Sequence, residues 1–135
     1  MRTLRRAAAS LTVAASALTG CASVDERGDA AAAVAVRLLT AVQGDDGAGA
    51  CAVLAPETRA ELIDSAGRPC AEAILDENLP GPGPIEATAV YGQWAQVRLA
   101  GDTLFLAVFP EGWRVVAAGC TPRPDRPYDC VLQGG

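Results

Sequence analysis

Pro80-Gly81-Pro82-Gly83-Pro84 separates two stretches of different periodicity. Its prolines have no N–H to give and a fixed φ, and glycine stands between them, so neither a helix nor a strand ladder runs through. Before it, apolar residues recur every three to four positions; after it, every second one. Helices followed by strands predict an α+β domain, with the helices packed on one face of a curved antiparallel β-meander.

Upstream of the break, Ala31, Val34, Ala35, Leu38, Leu39 and Val42 form one apolar stripe, which predicts a first helix from Asp29 that stops at Gln43-Gly44. Asp45-Asp46-Gly47 can cap a short helix over 48–54, where Cys51 lies. Pro56 opens a third helix, with Ala60, Leu62 and Ile63 as its buried side and Gly67 as its stop. Pro69 opens a last one over 70–75. Residues 22–28, with Asp25, Glu26, Arg27 and Gly28, read as a mobile tether.

Downstream, Ile85, Ala87, Ala89 and Tyr91 alternate with Glu86 and Thr88, and Ala95, Val97 and Leu99 with Gln96 and Arg98. Both strands should have one buried and one wetter face. Residues 103–109 are apolar on both faces, as expected of a central strand, and Trp113, Val115 and Ala117 mark another. The meander is thus expected to have about four strands and to end at Gly119. Its short turns, Gly92-Gln93, Gly101-Asp102 and Glu111-Gly112, force antiparallel pairing. Asp102 and Glu111 are expected to be solvated turn residues. Trp113 should be core. Trp94 shares a strand face with Gln96 and Arg98, either as an exposed contact residue or as cover for a sheet edge or a helix.

The order of these elements, the Gly44-Asp45-Asp46-Gly47 helix end, the helix from Cys51 to Pro56 and the Gly112-Trp113-Arg114-Val115 strand resemble the cone-shaped superfamily named after nuclear transport factor 2. The resemblance covers residues 29–119. It implies a curved sheet folded around helices, with a pocket between them. The superfamily includes isomerases, polyketide cyclases, dehydratases and lipoproteins with no known activity. The paired cysteines and the run 113–120 look like the small envelope lipoproteins among these.

The chain begins with Arg2, Arg5 and Arg6, then the apolar run 7–18, then Leu18-Thr19-Gly20-Cys21. A membrane-spanning helix needs roughly 20 apolar residues, and this run is shorter and broken by Ser10, Thr12 and Ser16. Cleavage at Ala15-Ser16-Ala17 by an ordinary signal peptidase is a second reading. The third is preferred, because Leu18-Thr19-Gly20-Cys21 resembles the bacterial lipoprotein box. That resemblance implies a cut between Gly20 and Cys21, acyl lipid such as palmitate on Cys21, and a protein held at the extracytoplasmic face of the cell membrane. The expected division is a signal peptide over 1–20, a tether over 21–28 and one domain over 29–135.

Cysteine parity favours the same reading. Of five cysteines, lipid on Cys21 leaves Cys51, Cys70, Cys120 and Cys130 as an even set for an oxidising compartment. Cys51 and Cys70 belong to the helical part, while Cys120 and Cys130 bracket the polar, proline-rich 121–129. Local pairing, Cys51 with Cys70 and Cys120 with Cys130, is therefore expected. It would make 121–129 an ordered surface loop that either covers the open end of the sheet or displays Arg123, Arg126 and Tyr128 as contacts. The spacings do not suit a zinc site or a Cys-x-x-Cys redox pair.

Composition narrows the chemistry further. The chain has sixteen acidic and eleven basic residues, a net charge of −5, which falls to −8 once Arg2, Arg5 and Arg6 leave with the signal peptide. Such an acidic domain does not suit nucleic acid. Histidine is absent, which excludes a Ser-His-Asp triad, a Cys-His pair and a histidine-ligated metal. No cofactor is called for. Two readings of function follow: a non-catalytic module of the cell envelope that binds a small ligand or an envelope protein, and an acid-base enzyme of the isomerase or cyclase kind. The enzyme needs a buried carboxylate opening into the pocket near Tyr91, the one candidate pocket residue, which otherwise reads as a core aromatic.

Overall fold

In the computed structural model, which describes residues 22–134, the first helix, α1, spans Val24–Gln43. It starts five residues earlier than Asp29 because Ser23 caps it. Ser23 Oγ accepts the Glu26 N–H at 3.1 Å, and the Glu26 carboxylate accepts the Ser23 N–H at 2.7 Å. This reciprocal box satisfies donors that a helix start leaves orphaned. Residues 24–28 are therefore helix and not tether. The apolar stripe lies where the periodicity put it, with Ala31, Ala35, Leu38 and Leu39 fully buried.

Helix α2 is Gly47–Ala52, capped by Asp46, whose carboxylate accepts the Gly49 N–H at 2.9 Å. Helix α3, Pro56–Ala66, begins with its proline and ends at Gly67 in the left-handed conformation. Its buried side is Thr58 and Leu62, four residues apart, not the expected Ala60 and Ile63, which are exposed. The shift has a polar cause: Thr58 Oγ1 donates to the Val116 carbonyl at 2.8 Å and turns that face of the helix to the sheet. Helix α4, Cys70–Ala73, runs into a 3₁₀ turn, Ile74–Asp76, in which Ile74 is fully buried.

The sheet has five strands, not about four: β1 Ile85–Tyr91, β2 Trp94–Leu99, β3 Asp102–Phe109, β4 Gly112–Arg123 and β5 Arg126–Gln133. It is open and antiparallel throughout, in the order β1-β2-β3-β4-β5. The fifth strand arises because β4 continues past Gly119, turns at Pro124-Asp125 and returns. The expected loop over 121–129 is thus the outer part of a β4–β5 hairpin, an arm. Its prolines are tolerated because Pro122 falls at a register shift and Pro127 on an edge strand.

Helix α1 lies across one face of the sheet. Leu38, Leu39 and Ile74 meet Val97, Leu104, Leu106 and Val115 there, all fully buried in one cluster. These side chains occupy the space between the two layers. Strand β1 presents the opposite face from the one its pattern suggested: Thr88 and Val90 turn toward α1, and a Cβ on Gly28 would lie 3.5 Å from Thr88 Cγ2. Ile85, Ala87, Ala89 and Tyr91 are left exposed. The direction of α1 is fixed at both ends. Near its start, Arg27 donates to the Gly92 carbonyl at 2.5 Å and its guanidinium stands 5.6 Å from the Trp113 ring. Near its end, the Gln43 side chain lies against Gly81.

Candidate functional site

Gly20 and Cys21, the proposed cleavage and lipid positions, lie outside the described residues. Both local disulfides are present. Cys51–Cys70 ties α2 to α4 with 6.2 Å between Cα atoms, and Cys120–Cys130 joins directly opposed residues of β4 and β5 at 4.0 Å. Among the described residues no cysteine is left as a free thiol, and no group of three acidic or cysteine side chains could hold a metal. No described helix is long and apolar enough to cross a membrane.

Asp102 is not the solvated turn residue its Gly-Asp context suggested. It is buried at the start of β3, and its carboxylate accepts three backbone N–H groups: Thr103 at 2.7 Å, Gly119 at 3.0 Å and Cys120 at 3.0 Å. Burial pushes the carboxyl above its ordinary pKa, with the three donors pulling the other way. Gly119, within β4, has φ +64, which departs from regular strand backbone. The Asp102 carboxylate therefore holds the point from which the arm departs. The signal for this was a glycine inside a strand pattern, which marks a bulge or bend.

Beyond that point the arm arches over the face of the sheet that the helices leave open. The Tyr128 ring meets Phe105 of β3 edge-on at 5.1 Å, and its hydroxyl accepts from Gln96 Nε2 at 3.1 Å, one strand further across on β2. Of the three residues expected as outward contacts, Tyr128 is thus turned inward. Arg123 pairs with Asp129 at 3.1 Å on the arm itself, and Arg126 is exposed. These contacts lay the arm over the face of the sheet at mid-strand, and not over the open end that the sequence suggested it would cover. Between the arm and β1 lies a small cleft of roughly 250 Å³, lined by Ala87, Ala89, Gln96, Arg98 and Tyr128.

A second, more apolar groove of roughly 390 Å³ lies on the same outer face, near the far ends of β2 and β3. Trp94, Ala107, Val108, Phe109 and Val116 line it, with Ala55, Glu57 and Thr58 at the start of α3. It is of the size that small apolar ligands occupy, though open rather than enclosed. Trp94 is 52% exposed, so it does not close off a sheet edge or a neighbouring helix from solvent. Tyr91 is 53% exposed and pairs with Trp94 at the β1–β2 turn, so it lines no interior pocket. It is also far from Asp102, whose register partner is Leu99 at the other end of the sheet. The structure does not bring this buried carboxylate and Tyr91 together. No family model, curated protein or solved structure matches the chain.

Proposed function

We propose that this chain is a lipid-anchored protein of the extracytoplasmic membrane face, and that its domain is a non-catalytic binding module of the cell envelope. The anchor rests on Leu18-Thr19-Gly20-Cys21 behind an arginine-led apolar run. The observation that carries the non-catalytic part is the packed interior: among the described residues, the seven that meet between helices and sheet are fully buried in one apolar cluster, with no acidic side chain among them to act on a substrate. The buried carboxylate, Asp102, has its oxygens engaged by backbone N–H groups. What the domain offers instead is its outer face, with the groove walled by Ala107, Val108, Phe109 and Val116 for a small apolar ligand or a side chain of an envelope protein. Helices followed by an open antiparallel sheet also support a distant kinship with the cone-shaped superfamily, here with its cone closed by side chains.

Two measurements test the reading. Cys21→Ser should move the protein from the membrane fraction to the soluble extracytoplasmic fraction; an exported variant that stays membrane-bound after a salt wash would refute the anchor. Native mass spectrometry of protein extracted from its own membrane should show a bound small molecule or protein that Val108→Asp loses. Retention of that species by the variant would move binding away from the groove.

A further inference from the structure

We propose that the end of the domain bearing Val24, Tyr91 and Trp94 rests on the lipid surface, with both aromatic rings seated at headgroup level. The proposal builds on the lipid anchor proposed above. Three observations bring these residues to one place. Arg27 of α1 bonds to the Gly92 carbonyl, so the start of α1 is fixed beside the β1–β2 turn. Tyr91 and Trp94 face each other across that turn as the last register pair of β1 and β2. Val24, the first residue of α1, is 64% exposed, and Tyr91 and Trp94 are each more than half exposed, which water alone does not reward in large apolar side chains.

The spacing to Cys21 supplies the partner. Only Ala22 stands between Cys21 and the N-cap Ser23, which is held in its capping box. Two residues reach at most about 7 Å, so an acyl chain on the Cys21 sulfur enters the bilayer close beside the first turn of α1. The domain then has little slack with which to stand off, and its nearest end must meet the headgroups. Tyrosine and tryptophan suit that position, because each has an apolar body and a polar tip. Asp25, Glu26 and Asp29 lie on the same end, so the contact is not an attraction to anionic lipid and should not weaken with salt.

Lipidated protein extracted from membranes would be reconstituted in phosphatidylcholine vesicles, with and without brominated acyl chains, after intact mass has been measured at Cys21. The chain has two tryptophans, and Trp113 is buried beneath Arg27, so the difference between wild type and Trp94→Phe reports Trp94. The expected result is that brominated lipid removes most of the Trp94 emission, that aqueous iodide does not, and that added salt changes neither. If Cys21 is acylated and Trp94 is quenched by iodide but not by brominated lipid, the proposal is overturned while the anchor stands, and this end faces a protein partner or water. If Cys21 carries no acyl chain, the anchor fails and the proposal falls with it.

Discussion

The carboxylate of Asp102, at the start of β3, accepts the backbone N–H of Cys120, eighteen residues later, at 3.0 Å. A single buried side chain thus joins the β2–β3 turn to the root of the disulfide-closed arm. Because the same carboxylate also holds the Gly119 and Thr103 N–H groups, its removal leaves several buried donors without partners. Asp102→Ala should lower stability by about 2–4 kcal/mol, a drop of many degrees in Tm for a domain of this size. A change in Tm of no more than a degree or two in thermal melts would show that water replaces the carboxylate without penalty.

The pH dependence of that interaction has a definite sign. Burial raises the Asp102 pKa in the folded state, so between the ordinary aspartate value and the raised one the folded state binds more protons than the unfolded state. Its contribution is fully present below the ordinary value and is lost as pH rises through the raised one. Wild type measured against Asp102→Asn, which cannot titrate there, should therefore gain relative stability as pH falls from neutral into mild acid. The opposite slope in paired denaturation curves would mean that the three N–H donors outweigh burial.

Gly119 combines φ +64 with a tight surrounding: a Cβ there would meet Val131 Cβ at 2.9 Å and Leu79 Cδ2 at 3.0 Å. Gly119→Ala should cost about 1–3 kcal/mol from the left-handed backbone and the crowding together. Urea unfolding checks it, and an unchanged midpoint would show that the arm shifts freely to make room.

Tyr128 and Arg126 belong to the same arm and should behave differently. Tyr128→Ala removes an edge-on contact with Phe105 and the hydroxyl that accepts from Gln96, and should destabilise by about 1–2 kcal/mol. Arg126→Ala, on an exposed residue, should stay within about 0.5 kcal/mol of wild type. Equal melting temperatures for the two variants would contradict the covering role of Tyr128.

Replacing Cys51 and Cys70 together by alanine opens a loop of nineteen residues and should cost about 3 kcal/mol on the chain-entropy account, lowering Tm by several degrees. Cys120→Ala with Cys130→Ala opens a shorter loop, separation 10, with a similar but slightly smaller loss, about 2.7 kcal/mol. Calorimetry of both pairs gives the comparison.

The helical half of the fold could be read from its punctuation: Gly44, Pro56, Gly67, Pro69 and the Pro-Gly break all stand where elements stop or start. The first turn of α1 could not, since Ser23-Val24-Asp25-Glu26 has a polar composition and only the Ser-x-x-Glu spacing reveals the cap. The alternation in β1 does not fix its faces, because its four alternating residues include two alanines, too small to decide which side packs, and Gly28 of α1 admits Thr88 and Val90 instead. The fifth strand was hidden by its prolines, which local rules read as loop; what overrides them is the opposed pair Cys120 and Cys130. Asp102 was legible as a turn residue but not as a buried acceptor, because its donors lie seventeen and eighteen residues away. Tertiary partners of that kind leave no local trace.

The two disulfides join first cysteine to second and third to fourth among Cys51, Cys70, Cys120 and Cys130. A chain threaded N-terminus first into an oxidising compartment exposes Cys51 and Cys70 fifty residues before Cys120 emerges. Oxidised as it arrives, the first pair has no competing thiol within the domain, and the second finds the first already closed. Nested or crossed bridges would need reshuffling, which takes seconds to hours. For a chain exported in that way, the order of emergence alone would select this connectivity, and a simple oxidant would suffice without an isomerase.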